Sequence, residues 1–209
     1  MSHVVLLGDS IFDNGAYVSG GPDVVRQLRE ILPAGCKATL LAVDGAITHS
    51  VPDQVRRIPS DADLLVLSVG GNDALGASHV LTDPVLSVGQ GVARLAEAQG
   101  RFAAAYEAML EAVLARGLPT APCTIYDTRI MEPDHRVIRA SLSLFNDVIA
   151  RAAFSRGLPL IDLRLICDRD EDYANPIEPS VEGGAKIAAA IAQLAGAEAD
   201  WRRSLVITG

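Results

Sequence analysis

The chain alternates short apolar runs with longer stretches in which apolar residues recur every three or four positions. His3 to Leu7 is a mostly apolar run ending in Gly8-Asp9-Ser10, the pattern of a buried strand meeting a turn. Asp23 to Leu32 places Val24, Val25, Leu28, Ile31 and Leu32 on one helical face, and Pro33 and Gly35 stop it. Ala38 to Val43 predicts a second strand ending at Asp44-Gly45, and Leu64 to Val69 a third ending at Gly70-Gly71-Asn72-Asp73. An Ala-rich helix follows over 91–116, with Gly100 a weak point and Gly117-Leu118-Pro119 its end. Thr124 to Asp127 predicts a fourth strand, with Thr120 an alternative start. A helix is expected over Ile138 to Arg156, a fifth strand over Leu160 to Leu163, and a last helix over Gly184 to Leu194. Trp201 to Gly209 reads as a short tail returning to the body of the domain. Residues 74 to 90 read as a long loop, of the kind that forms lids and binding loops. Its Leu75, Val80, Leu81, Val85 and Leu86 are candidate apolar walls for an acyl or alkyl group.

Strand followed by helix, five times over, predicts an α/β fold: a parallel sheet covered by helices on both faces. Ligands of such sheets bind beyond the carboxyl ends of the strands. Three successive strand ends here carry polar, glycine-bearing segments, so the topology gathers Ser10, Gly45 and Asn72 on one edge.

Composition narrows the field. The 209 residues suit one domain spanning 1–209, and 49% apolar with 21% charged residues argues against disorder. Aromatics are only 4%, which leaves the core to Val, Leu, Ile and Ala. The net charge of -8 lacks the basic footprint of a nucleic-acid binder and gives no attraction to an anionic membrane. No apolar run reaches the ~20 residues that span a bilayer, and the N-terminus lacks the pattern of a secretory leader. A cytoplasmic protein with neither nucleic-acid nor membrane partners is expected. Cys36, Cys123 and Cys167 are widely spaced and odd in number, which suits buried free thiols better than disulfides or a zinc site.

Acyl transfer needs a nucleophile, a base and donors for the oxyanion. Ser10 sits where a strand turns into a loop, so its hydroxyl is a candidate nucleophile. The Ser10 N–H, the Gly45 N–H and the Asn72 side-chain amide are three candidate oxyanion donors. No ligand cluster or phosphate loop appears, so neither metal nor organic cofactor is expected.

These blocks resemble those of the SGNH/GDSL hydrolase family, in order and over nearly the whole chain. Its Gly-Asp-Ser turn is Gly8-Asp9-Ser10, its second-block glycine is Gly45, and its Gly-x-Asn-Asp is Gly70-Gly71-Asn72-Asp73. The resemblance implies a three-layer, flavodoxin-like α/β/α sandwich with five parallel strands in the order 2-1-3-4-5, and hydrolysis of a small-molecule ester by Ser10. The final block departs from the family. Its usual Asp-x-x-His is replaced here by Asn175-Pro176-Ile177-Glu178, followed by Pro179 and a Gly183-Gly184 helix start.

That replacement leaves several readings. Glu178 is the base, with Asn175 orienting it. Asparagine would then remove the like charge that an aspartate three residues away would place beside a carboxylate base. Alternatively a displaced histidine serves: His49, His135 or, less directly, His79. His3 starts the first strand at the far end of the sheet. Otherwise the fold keeps the pocket as a non-catalytic binder of small ligands, or transfers the acyl group to an alcohol. The serine–carboxylate esterase is the preferred reading. Asp9 and Asp73 neighbour the key residues and can shape their turns. With His49 and His135 they complete the candidate substrate-binding set. Arg129 is an expected salt-bridge partner and Asn146 an expected buried structural polar group.

Overall fold

The computed structural model describes residues 2–131 and 133–196, and the expected tail over Trp201–Gly209 lies outside them. Strand β1 (His3–Gly8) is central, pairing in parallel with β2 (Lys37–Leu40) on one side and β3 (Leu64–Ser68) on the other. Beyond β3 lies β4 (Thr120–Pro122), giving the order β2-β1-β3-β4. Between and after them run α1 (Val24–Ile31), α2 (Val51–Val55), α3 (Gly71–Gly76), α4 (Val88–Leu114), α5 (Asp134–Phe154), α6 (Leu163–Ile166) and α7 (Val181–Leu194). A small antiparallel hairpin, β5 (Tyr173–Asn175) and β6 (Glu178–Pro179), precedes α7.

The parallel α/β sandwich is as expected, but its fourth and fifth strands are shorter. The fourth begins at Thr120, the alternative start, and ends at Pro122, short of the expected Asp127, with the Cys123 N–H still donating to Leu67 O on β3 (2.8 Å). The fifth is one parallel bridge between Cys123 and Ile161. The Ile161 N–H donates to Pro122 O (2.9 Å) and the Thr124 N–H to Ile161 O (3.0 Å). The next residue, Asp162, turns its side chain onto the Arg164 N–H and caps α6, which cuts the ladder short. The loop expected over 74–90 is also more regular than its sequence suggests. It holds the end of α3 and a 3-10 turn at Ser78–Leu81, and Ser87 caps α4 by accepting from the Gln90 N–H.

Alternation along β1 divides the core. Val4 and Leu6 face α1 and α7, joining Val24, Leu28, Ile187 and Ile191. Val5 and Leu7 face α2, α4 and α5, joining Leu65, Leu67, Phe102, Tyr106, Leu110 and Ile149. In α4 the buried residues Ala98, Phe102, Tyr106, Met109 and Val113 recur at three- and four-residue steps, the seam of a half-buried helix. Cys36, Cys123 and Cys167 are free thiols, and burial raises the pKa of Cys123 and Cys167 well above the ordinary thiol value.

One position ties the sheet to its functional edge. Gly8 has φ +123°, and a Cβ there would lie 1.7 Å from Ser68 O on β3. Gly8→Ala should therefore destabilise the fold by at least about 3 kcal/mol. Gly100 lies exposed within α4 with open space around it. Gly100→Ala should stabilise by about 0.5–1 kcal/mol, raising Tm by about 2–4 °C per kcal/mol. Thermal denaturation of the two variants checks both, and a Gly8→Ala protein with wild-type Tm would contradict the close-approach account.

Candidate active site

The carboxyl ends of β1, β2 and β3 deliver the expected segments to one edge. Gly8 is clamped there by a buried side chain that the sequence reading missed. Gln54 accepts from the Gly8 N–H through Oε1 (2.7 Å) and donates to Gly8 O through Nε2 (2.8 Å). Gln54 occupies the apolar face of α2 beside Val51 and Val55, and a polar residue in that stripe is the signal that could have found it. The next residue, Asp9, donates its N–H to Ser68 O (3.0 Å) and accepts from the Ile11 N–H through Oδ1 (3.2 Å). Ser10 follows, buried, with its Oγ aimed at Glu178.

Ser10 Oγ donates to Glu178 Oε1 at 3.0 Å. Glu178 is 6% exposed, and its second oxygen, Oε2, is buried without a hydrogen-bond partner. The carboxylate is held by its neighbours in the chain. The Tyr126 OH donates to Ile177 O (2.7 Å), and Asn14 Nδ2 donates to Pro179 O (3.2 Å). Asn14 is fully buried, and its Oδ1 accepts from the Val24 N–H, so the loop after Ser10 binds both α1 and the strand that carries Glu178. At the hairpin tip Arg129 donates its N–H to Pro176 O (2.8 Å), while its guanidinium pairs with Asp170 and lies over the Tyr173 ring.

Asn175 does not orient Glu178. Its Oδ1 accepts from the Ile177 N–H (2.9 Å), and Asn175 pairs with Glu178 across the hairpin through the backbone. The reason is local: a short hairpin needs its turn amide satisfied, and an Asx-type bond two residues ahead does that.

Asn72 stands in the first turn of α3 and donates one Nδ2 proton to Ala46 O (3.0 Å), which leaves its other amide proton for a ligand. Asp73 accepts from Thr48 Oγ1 (2.7 Å) and from the Thr48 N–H, tying the second loop to the third. Gly45 is exposed on that second loop and lies outside the cavity described below. Asn146 is buried and exchanges two 2.8 Å bonds with the backbone of Ile125.

No histidine lines the cavity among the described residues. His49 is exposed in a 3-10 turn, and His79 is exposed with Nδ1 at 3.2 Å from Gly76 O. His135 lies in the first turn of α5, where its N–H donates to Met131 O. His3 is buried at the opposite end of β1, between Asp61 and Thr39.

The cavity encloses about 130 Å³, and Ser10, Asn72 and Glu178 are among the residues that line it. Its walls are apolar: Leu75, Leu95, Ala98, Ile125, Leu142 and Phe145 are among them. Of the walls expected from residues 74–90, Leu75 and Leu81 line it. Val80, Val85 and Leu86 do not, and Leu86 is 97% exposed. The deeper walls come from α4 and α5, where apolar residues look like ordinary core in a sequence.

The electrostatics are those of buried acids without a cation. Burial pushes the Glu178 carboxyl up to about 7. The Ser10 hydrogen bond opposes this, and the charge of Asp44 adds to it. Burial likewise pushes Asp9 up to about 8, against its Ile11 hydrogen bond, with Glu178 and Asp73 adding to the rise. The Asp44 N–H donates to Asp13 Oδ2 (2.9 Å), and the Tyr17 OH donates to Asp44 Oδ2 (2.9 Å). No Lys, Arg or His lines the cavity among the described residues, so nothing there offsets this negative charge. Nor do the described residues gather three His, Cys, Asp or Glu side chains as a metal site, or contain a helix long and apolar enough to cross a membrane.

Residues 6–186 match the GDSL-like Lipase/Acylhydrolase family. No curated protein sequence matches the chain. Among solved structures it is similar to an extracellular lipase from Streptomyces rimosus, at TM-score 0.66 and 20% identity, over 95% of this chain and all of that one (100%). It is also similar to phospholipase A1 from Streptomyces albidoflavus NA297, at TM-score 0.65 and 19% identity, over 93% of this chain and 98% of the other. The acetyl xylan esterase AlAXEase matches at TM-score 0.67 and 17% identity, over 92% of this chain and 98% of the other.

The buried acids set a pH dependence of stability. Asp9 keeps its proton in the folded state up to about 8, whereas in the unfolded chain it releases it near the ordinary value of 3.8. The folded state therefore binds the extra proton between those values, and stability falls as pH rises across that window. Asp9→Asn keeps the Oδ1 acceptor and removes the titration. Its Tm should drop less between pH 5 and pH 8 than the wild-type Tm, by about 2–4 °C for each kcal/mol removed. Equal drops in the two proteins would show that Asp9 does not titrate in this way.

Proposed function

Because the chain belongs to the GDSL-like lipase/acylhydrolase family, we propose that it is an ester hydrolase in which Ser10 is the nucleophile and Glu178 its base. The observation that carries this reading is the 3.0 Å hydrogen bond from Ser10 Oγ to Glu178 Oε1, in the wall of an apolar cavity. A carboxylate at the ordinary value of ~4.3 is a weak base toward a serine hydroxyl, but one raised to about 7 is matched to neutral pH.

In the first step Ser10 Oγ attacks the ester carbonyl carbon as its proton passes to Glu178. The charge on the carbonyl oxygen is met by the Ser10 N–H and the remaining Asn72 amide proton, with the Gly45 N–H a third donor from the neighbouring loop. The bond to the alcohol oxygen then breaks, and the departing alkoxide takes the proton from Glu178. Water enters, gives a proton to Glu178, and attacks the acyl-Ser10 carbonyl. When the acyl–Oγ bond breaks, Ser10 recovers its proton from Glu178 and the acid is released. Asp9 and Asp73 shape this site through hydrogen bonds to Ile11 and Thr48, while His49 and His135 take no step.

Glu178→Gln keeps the shape of the side chain and removes the acceptor of the proton. Turnover of p-nitrophenyl butyrate should fall about 10²-fold or more, and Ser10→Ala should abolish it. In the wild-type protein the rate should rise with pH through about 7, because the ionised carboxylate is the active form. Wild-type turnover in Glu178→Gln would refute the base assignment. A wild-type protein that neither turns over short esters nor reacts at Ser10 with a fluorophosphonate would indicate a pocket kept for binding.

Asn72→Ala tests the oxyanion donor. Its kcat should fall about 10²–10³-fold with a smaller change in KM. Because Asn72 also holds Ala46 O, its Tm should be measured alongside. An unchanged kcat in the folded variant would remove Asn72 from the reaction.

A further inference from the structure

The cavity at Ser10 shares part of its wall with a groove on the protein surface. Leu81 of the 3-10 turn, Leu95 of α4 and Ser141 of α5 line the cavity, and the same three residues line this second, more open groove. Beyond them the groove is walled by Pro133, Val137 and Ala140, with Arg136 its charged member among the described residues. Val137 is 49% exposed. Cavity and groove thus share one stretch of wall, on the line that a chain of atoms from Ser10 out along α5 would take.

Size decides what such a chain would be. The cavity encloses about 130 Å³. A cavity of roughly 150 Å³ holds a benzene molecule, so this one takes on the order of six carbons. A longer acyl chain has to continue past Leu81, Leu95 and Ser141 into the groove. Asp13, Asp44 and Tyr17, which do not line the cavity, form a hydrogen-bonded polar group with Asp44 exposed, which suits a departing alcohol that must reach water.

We propose that cavity and groove are one acyl site, and that the protein prefers esters of acyl chains longer than about six carbons, their distal carbons lying in the groove between Leu81 and Ala140. This rests on the reading of Ser10 as the acyl acceptor. Each fully buried methylene favours binding about fourfold, so four more methylenes, partly covered, favour a longer chain about tenfold or more.

The test is a chain-length series with variants in the groove. Val137 is 49% exposed on α5 and lines the groove but not the Ser10 cavity, so Val137→Trp obstructs the groove alone. Ala140→Glu, on the exposed face, places a charge in the same groove. With p-nitrophenyl butyrate, octanoate and dodecanoate, the wild-type kcat/KM should increase with chain length. Both variants should keep butyrate turnover within about twofold and lose about tenfold or more on dodecanoate. Displacement of Nile red by 1-butanol and 1-dodecanol reads the same site without chemistry, and Val137→Trp should weaken only the 1-dodecanol effect. Butyrate turnover with no gain for dodecanoate, or equal losses on both esters, would overturn the shared acyl site while leaving the Ser10 chemistry standing. Selective displacement by 1-dodecanol without turnover of any ester would support the chain-binding site and defeat the hydrolase reading.

Discussion

The end of β1 passes so close to β3 that there is no room for a side chain at position 8, and the geometry of the functional edge follows from that contact. Gly8 lies against the Ser68 carbonyl and is gripped through both its backbone groups by Gln54 from α2. The chain leaves this clamp in a fixed direction, so Asp9 bonds back to Ser68 and Ser10 points away from the sheet toward the β5–β6 hairpin. A nucleophile set on a rigid strand end is placed more accurately than one on a free loop. A second close approach matches the first on the hairpin side. A Cβ at Gly183 would lie 2.1 Å from Asp172 O, and the Ser180 N–H donates to that same carbonyl. The two glycines thus fix the two ends of the Ser10–Glu178 bond from opposite sides.

A carboxylate in place of an imidazole changes the electrostatic demands of the site. A histidine base becomes a cation when it takes the proton and is helped by a nearby anion. As the proposed base Glu178 would become neutral, so its surroundings would have to tolerate charge before the reaction rather than during it. Burial, an unpartnered Oε2 and the nearby charge of Asp44 all disfavour the ionised form, while the Ser10 hydroxyl favours it. An adjacent Arg or Lys would hold the carboxyl ionised and too weak a base, and no such residue lines the cavity among the described ones. The site accepts some loss of stability in return, because Asp9 and Glu178 both bind protons in the folded state that the unfolded chain releases.

The strand ends were legible in the sequence because Gly-Asp-Ser and Gly-x-Asn-Asp are local turn patterns and the apolar runs before them are local too. The helices followed from three- and four-residue spacing, with errors at the ends where caps such as Ser87 and Ser180 set the boundaries. The fifth strand was misjudged in length because its extent is decided by competition: Asp162 caps α6 in place of continuing the ladder. Asn175 was misplaced because its side-chain oxygen accepts from the Ile177 N–H in the turn it sits in, a demand visible only once the hairpin exists.

By itself the sequence determined the α/β alternation, the family, and the presence of Ser10, Asn72 and an acidic residue where a histidine is usual, since each depends on neighbours a few positions away. Only the tertiary structure decided that Ser10 and Glu178, separated by 168 positions, share a hydrogen bond. It also decided that Gln54 and Asn14 hold the two in place, and that α4 and α5 wall an apolar cavity beside them. The physical reason is that burial sets both the cavity and the basicity of Glu178. Burial is the joint result of elements far apart in the chain, and no local pattern records it.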